Sequence, residues 1–191
     1  APGIPDFYQG SEYWSFNLVD PDNRRPIDFA DRHRALDELL SALERDPAAL
    51  ARELFQRPED GRIKLLVTAL ALRFRRANEP LFRDGGYERC DVEGRSASQV
   101  VAFARTGRDK AAVAIVGRFF TRFGERAGAP VGECWRETFV KVPAWLERHE
   151  FRDILTNRLL PRKSNDACVL DLEQVFATLP VALIEVRPPH A

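Results

Sequence analysis

The amino-acid sequence predicts an α+β fold, in which a helical region is followed by an antiparallel β-sandwich. Up to about position 85, apolar residues recur every three to four positions, as they do on one face of a helix. After Gly86 the apolar period falls to two, which is typical of half-buried strands. A length of 191 residues, 45% of them hydrophobic, allows one large domain or two small ones.

The helical region is predicted to contain three helices. Asp28 or Asp31 can cap the first, because a carboxylate accepts hydrogen bonds from the unpaired N–H groups of a first turn. Asp46-Pro47 combines a cap with a proline in the first turn and starts the second helix. A third helix is expected from Pro58 until residues 78–80 end it. The first helix carries leucines at the spacing i, i+3, i+4 and i+7: Leu36, Leu39, Leu40 and Leu43.

Seven short strands are predicted in the second half of the chain. Turn sequences such as Thr106-Gly107-Arg108-Asp109 and Arg162-Lys163-Ser164-Asn165 separate some of them. Their hairpin-like spacing is typical of an antiparallel sandwich. A surface loop is expected between Gly124 and Gly132. The predicted strands are Tyr87–Val92, Gln99–Arg105, Ala111–Val116, Glu137–Val142, Glu150–Leu155, Val169–Leu172 and Val181–Val186.

Composition argues against several classes of function. The 29 basic residues balance 29 acidic ones at a pI near 7.1, so no net field attracts nucleic acid or an anionic membrane. The three cysteines (Cys90, Cys134 and Cys168) lie far apart, which disfavours a disulfide framework and a zinc site. Reduced thiols fit a cytoplasmic protein best. We expect no cofactor and no metal.

Residues 1–28 predict a long loop that is rich in side chains suited to sugars. Sugars present hydroxyl rims and apolar ring faces, so their sites combine hydrogen-bonding groups with aromatic rings. The candidates for hydrogen bonding are Tyr8, Gln9 and Glu12, and Tyr13 and Trp14 follow them as aromatic rings.

Asp20-Pro-Asp-Asn-Arg-Arg-Pro26 adds a second candidate group within this loop. A carboxylate at Asp20 and a guanidinium at Arg24, stiffened by proline at both ends, can bind adjacent hydroxyls of one sugar. The alternative is a polar loop with internal Asp–Arg pairs and Asx-turns, and for an arbitrary sequence of this kind it is the more frequent outcome.

These segments resemble a known superfamily. Pro2-Gly-Ile-Pro-Asp-Phe-Tyr-Gln-Gly-Ser-Glu12 looks like the segment after the eighth barrel strand of the α-amylase superfamily, and Asp20-Pro-x-Asn-Arg24 is similar to its substrate-binding loop. The longer string Leu18-Val-Asp-Pro-Asp-Asn-Arg-Arg-Pro26 narrows the resemblance to the maltooligosyltrehalose synthase family. Asp60-Gly-Arg-Ile-Lys-Leu-Leu-Val-Thr68, followed by Leu81-Phe82 and Gly86-Tyr87, also resembles that family. The likeness is strong over residues 1–95.

The resemblance implies a C-terminal fragment of such an enzyme. Residues 1–85 would form the end of a (β/α)8 barrel, with the substrate loop and helices, and residues 86–191 a C-terminal β-sandwich domain. The implied activity is a glucosylmutase that converts the reducing-end α-1,4 linkage of a maltooligosaccharide to an α,α-1,1 linkage. The implied partners are this substrate and an N-terminal barrel of the same polypeptide.

The resemblance also implies roles for individual residues. Asp20 and Arg24 would bind a glucosyl unit, and Tyr8, Gln9 and Glu12 would line or brace the pocket. The family's catalytic carboxylates follow earlier barrel strands, and their motifs do not occur here. We therefore expect no catalytic residue in this chain and no activity from it alone.

Two alternative functions stay open. The chain could be a stand-alone carbohydrate-binding or interaction module, or part of another hydrolase or transglycosylase of the same superfamily. Trp135 and Trp145 could form a platform for sugars, but packing in the sandwich is the better expectation. Phe119, Phe120 and Phe123 either contact a neighbouring barrel or belong to the core at a strand end.

Overall fold

A computed structural model describes residues 7–17, 24–124, 129–164 and 168–189. It confirms the mixed fold, and the described part of the chain has four α-helices before residue 84, with two antiparallel sheets and one short α-helix after it. Within the described residues, no helix is long and apolar enough to cross a bilayer. The helices are α1 (Phe29–Leu43), α2 (Pro47–Gln56), α3 (Arg62–Ala77), α4 (Glu79–Arg83) and α5 (Leu172–Val175).

The starts of the first two helices confirm the capping predictions. Of the two candidate caps for α1, Asp28 is the one used, and its Oδ1 accepts from the backbone N–H of Asp31 at 2.8 Å. Asp46 caps α2 by accepting from the N–H of Ala49 at 2.9 Å. Each cap satisfies a backbone donor that the helix itself leaves unpaired.

The prediction for the third helix was wrong at its start and confirmed at its end, since α3 ends at Ala77 with Asn78 as its C-cap. Pro58–Asp60 form a separate 3₁₀ turn, and Gly61, at φ 76°, reverses the chain before α3 begins at Arg62. Beyond Asn78 the chain forms α4, which was not predicted. Pro80 lies in the first turn of α4, where a proline loses no helical hydrogen bond.

The structure describes nine strands in two sheets. A five-stranded sheet has the order β1-β3-β4-β9-β6, and a four-stranded sheet has the order β2-β5-β8-β7. All neighbouring strands are antiparallel. The strands are β1 (Gly86–Arg89), β2 (Val92–Gly94), β3 (Val100–Thr106), β4 (Ala111–Gly117), β5 (Thr138–Lys141), β6 (Glu150–Asp153), β7 (Arg162–Ser164), β8 (Cys168–Asp171) and β9 (Val181–Arg187).

Three of the strand predictions need correction. The predicted strand Tyr87–Val92 divides into β1 and β2, which belong to different sheets, so the chain crosses between sheets at this point. The predicted turn at residues 162–165 contains β7, which pairs with β8. Leu172, predicted to end a strand, starts α5, and Asp171 caps that helix. Part of the expected Gly124–Gly132 loop, residues 125–128, lies outside the described residues.

The sandwich core is aromatic at its centre. Trp135, Phe151 and Phe176 are fully buried, and the ring of Trp135 packs 4.8 Å from Phe123 and 4.9 Å from Phe176 between ring centres. The indole Nε1 of Trp135 donates to the carbonyl of Pro130 at 2.8 Å. Packing was therefore the correct interpretation for Trp135, whereas Trp145 is 42% exposed.

The three phenylalanines after β4 divide between core and surface. Phe120 and Phe123 pack against the sandwich core, as the strand-end alternative predicted. Phe119 is exposed and has a positive φ of 54°. The guanidinium groups of Arg118 and Arg122 lie 4.7 and 5.6 Å from the centre of its ring.

A second apolar core joins the helices to the sandwich. Leu155 and Leu179 from the sandwich half are buried in the same cluster as the helix residues. The helical region therefore packs against the sandwich rather than forming a core of its own. The buried helix residues of this cluster are Leu39, Ala51, Leu54, Ile63, Leu65 and Leu66.

Candidate functional site

The described part of the opening loop, residues 7–17, packs beside the start of α3. The indole Nε1 of Trp14 donates to the carbonyl of Pro58. Lys64 Nζ donates to the carbonyl of Tyr13 at 3.0 Å and lies 5.5 Å from the centre of the Trp14 ring. A Cβ on Gly61 would lie 3.2 Å from the backbone nitrogen of Trp14, so glycine permits this close approach.

Arg32, in the first turn of α1, holds the other side of the same loop. Its Nε donates to Glu12 Oε2 at 3.1 Å in a half-buried ion pair. Its two terminal nitrogens donate to the carbonyls of Asp28 at 3.0 Å and Gly10 at 3.4 Å. The guanidinium also lies 5.0 Å from the centre of the Tyr13 ring. One side chain thus ties three parts of the loop to the helix.

Tyr13 stays protonated in this packed position. Burial, followed by the negative charge of Asp31, raises the pKa of the Tyr13 hydroxyl, although the nearby cation of Arg32 opposes the shift. The hydroxyl is therefore available as a hydrogen-bond donor over a wide pH range.

A small cleft of about 170 Å³ lies between the opening loop and the start of α1. This volume is smaller than a pocket for a drug-sized ligand, so the cleft by itself can hold only part of an extended ligand. Amide, hydroxyl and guanidinium groups line it beside one indole ring. The lining residues are Gln9, Gly10, Trp14, Ser15, Asn17, Arg25, Pro26, Ile27, Asp28 and Arg32.

The structure brings together only some of the predicted site residues. Gln9 lines the cleft, and Glu12 is joined to it through Arg32. Tyr8 and Arg24 are exposed and are not part of the described cleft wall. Asp20 lies outside the described residues, as do the first five residues of the segment 2–12 that carries the resemblance.

Sequence reasoning missed Arg32, Ser15 and Asn17. Asn17 Nδ2 donates to Ser15 Oγ at 2.7 Å, so two side chains of the cleft are already ordered by each other. The available signal for Arg32 was its position four residues after the cap Asp28. That spacing directs a first-turn side chain back toward the entering loop.

Metal-binding side chains form no cluster in the described part of the chain. There, no group of three or more His, Cys, Asp or Glu side chains is arranged to hold a metal ion. Cys90 and Cys168 are buried, and burial raises the pKa of both thiols, that of Cys90 to about 12. Cys134 is exposed.

Comparisons with known proteins confirm the family resemblance. No protein-family model matches the chain. Two curated relatives from strains of Mycobacterium tuberculosis, named maltooligosyl trehalose synthase, are 42% identical over 105 residues, which is 55% of this chain and 11% of their length. Two solved structures of maltooligosyltrehalose synthase from Arthrobacter ramosus, one of them a mutant, superpose with a TM-score of 0.72 at 33% identity. They cover 97% of this chain, which spans about a fifth of their length.

Proposed function

Because the chain is related to the maltooligosyltrehalose synthases, we propose that it forms the C-terminal part of such an enzyme. Residues 1–85 would complete the catalytic barrel, and residues 86–191 would form the C-terminal sandwich domain. The observation that carries this proposal is the structural match over 97% of the chain at 33% identity. We place the enzyme in the cytoplasm, in keeping with the scattered cysteines, and in trehalose biosynthesis because of its relatives.

The proposed reaction is an intramolecular transglycosylation. A carboxylate attacks the anomeric carbon of the penultimate glucose while a second carboxylic acid protonates the leaving oxygen, giving a covalent glycosyl-enzyme. The released terminal glucose stays bound and attacks that intermediate through its own anomeric hydroxyl. The α-1,4 linkage becomes α,α-1,1 with no net change in atoms. Water must be excluded during this exchange, or hydrolysis would follow.

In this proposal the chain binds the substrate but supplies no catalytic residue. Asp20 and Arg24 bind the hydroxyls of one glucosyl unit, and Tyr8 and Gln9 line the pocket for it. Glu12 acts indirectly, since its ion pair with Arg32 holds the opening loop on α1. The half-buried position of this pair makes it stiffer than a surface ion pair. The catalytic carboxylates are supplied by another part of the enzyme.

The decisive experiment uses the longest polypeptide that the gene encodes. Incubation with maltohexaose should remove reducing ends without releasing glucose, because both anomeric carbons are joined in the product. The 191-residue chain alone should give no product. Release of glucose as the main outcome would indicate a hydrolase instead, and turnover by the 191-residue chain would contradict the division of roles.

Arg24→Met tests the proposed sugar contact in the same assay. Loss of a charge-assisted hydrogen bond should lower kcat/KM by about tenfold or more. The matched control is Arg73→Met, which removes an exposed guanidinium from α3 and should leave kcat/KM within about twofold. Equal kcat/KM values for the two variants would show that Arg24 does not contact the sugar.

A further inference from the structure

A larger cleft lies between α3 and the outer face of the five-stranded sheet, and Phe7 at the start of the described opening loop also lines it. Its volume is about 370 Å³, within the range of pockets that receive ligands or partner side chains. The wall is mostly apolar, and part of it is open to solvent. The main apolar contributors are Val67, Ala71 and Leu72 from α3 and Phe103, Ala114 and Leu183 from the sheet.

One buried cation in this cleft has no ion-pair partner among the described residues. Arg105 on β3 is only 7% exposed and lines the cleft. Its NH2 group donates to the carbonyls of Gly85 at 2.7 Å and Leu81 at 3.4 Å. Its Nε is buried, and the described residues offer it no acceptor. A desolvated guanidinium that is held only by carbonyl groups favours an incoming anion.

The remaining charge in the cleft has the same sign. Arg75, at the last turn of α3, also lines it, and no acidic side chain does so among the described residues. An apolar segment that carries a carboxylate would match both features of the cleft, because it would cover the exposed apolar wall and pair with a cation.

We propose that this occupant is a segment of the longer polypeptide to which the chain would belong, docking one apolar side chain and one Asp or Glu against Arg105. The inference rests on the proposed function only in assuming a longer polypeptide. The solved relatives are about five times as long as this chain, so ample polypeptide exists to cover the cleft in a protein of that kind. The cleft would then be an internal contact between the segment, α3 and the sheet.

Cysteine labelling tests whether the cleft is covered. Ala114→Cys places a thiol in the cleft wall, and its modification by a small maleimide is followed by mass spectrometry. We expect a rate at least tenfold lower in the longest polypeptide that the gene encodes than in the 191-residue chain. The matched control is Val116→Cys, on the same face of β4, 40% exposed and outside the cleft. Its rate should change less than twofold.

Substitution of Arg105 tests whether the docked segment places a carboxylate against this side chain. Arg105→Lys keeps the charge but loses the Nε–H and the planar fork, so it should lower the Tm of the longer polypeptide more than that of the 191-residue chain. Equal shifts would contradict a carboxylate partner.

Three findings would overturn the docking proposal. They are equal labelling of Ala114→Cys in both proteins, equal protection at position 116, and a gene that encodes nothing longer. A longer polypeptide that protects position 114 but makes no α,α-1,1 product would overturn only the proposed function.

Discussion

The sandwich and the helical region differ in how completely each buries its own apolar side chains. The sandwich encloses Trp135, Phe151 and Phe176 between two sheets. The main core of the helical region is completed by Leu155 and Leu179 of the sandwich half. On its other side, α3 leaves Leu72 exposed along an open cleft. The helical region therefore depends on its neighbours for stability more than the sandwich does.

This difference indicates which half depends on its surroundings. A sandwich with a closed aromatic core should retain its structure whatever covers the helices. Helices with one open face gain stability from any surface that buries it, because buried apolar area is the main favourable term. Three substitutions can test this contrast.

The largest effect is expected from Trp135→Ala. Removing the fully buried indole leaves a cavity next to Phe123 and Phe176 and an unpaired carbonyl at Pro130, at a cost of about 4 kcal/mol. Urea unfolding of the purified chain measures the free energy of unfolding. Trp145→Ala, at an exposed tryptophan, is the control and should cost less than about 1 kcal/mol. Similar losses of unfolding free energy for both variants would contradict a dominant role of the Trp135 core in stability.

Leu66→Ala should act mainly on the helices. The side chain is fully buried in the second core, and its truncation should cost about 3 kcal/mol. Hydrogen exchange should speed up in α1, α2 and α3 while β3 and β4 stay protected. Leu72→Ala, at the exposed position on the same helix, should change little. Equal acceleration in β3 and β4 would show that helices and sandwich unfold as one unit.

Asp153→Asn should have the smallest effect, and it depends on pH. Burial raises the pKa of the Asp153 carboxyl above its ordinary 3.8, although hydrogen bonds from Leu155 and Thr156 oppose the shift. A raised folded-state pKa stabilises the fold below the ordinary value, and this contribution is lost as pH rises through the raised pKa.

The asparagine variant should therefore be more stable than the parent at pH 7. This advantage should shrink as pH falls through the raised pKa, because both side chains are then neutral. Urea unfolding at a series of pH values measures the difference, and Asp109→Asn at an exposed bend is the control. An advantage that grows toward acid pH would contradict a raised pKa at Asp153.

Local chemistry made much of the fold predictable. Asp28 and Asp46 satisfy helix donors within three residues of themselves, so the sequence placed the cap of α2 and narrowed the cap of α1 to Asp28 or Asp31. The division of the predicted strand Tyr87–Val92 was not predictable, because its alternation continues while the chain passes from one sheet to the other. Residues 162–164 carry a turn-like composition and become a strand only through pairing with β8.

The candidate site shows the same limit. Gln9 and Glu12 were chosen for their side-chain chemistry, and both lie in or next to the small cleft. Arg32, which connects Glu12 to α1, is 20 residues away from it, and its partners are known only once the loop has folded back. Local patterns identify helix caps and polar loops, but contacts across the chain decide which side chains meet.

The place of β9 in the five-stranded sheet has a consequence for biosynthesis. Residues 181–187 come after every other strand along the described chain, yet they lie between β4 and β6. During synthesis on the ribosome, one edge of β4 stays unpaired until about 65 further residues have been added to the chain. Nascent chains are then open to edge-to-edge pairing with their neighbours, a hazard that ends when β9 emerges and inserts.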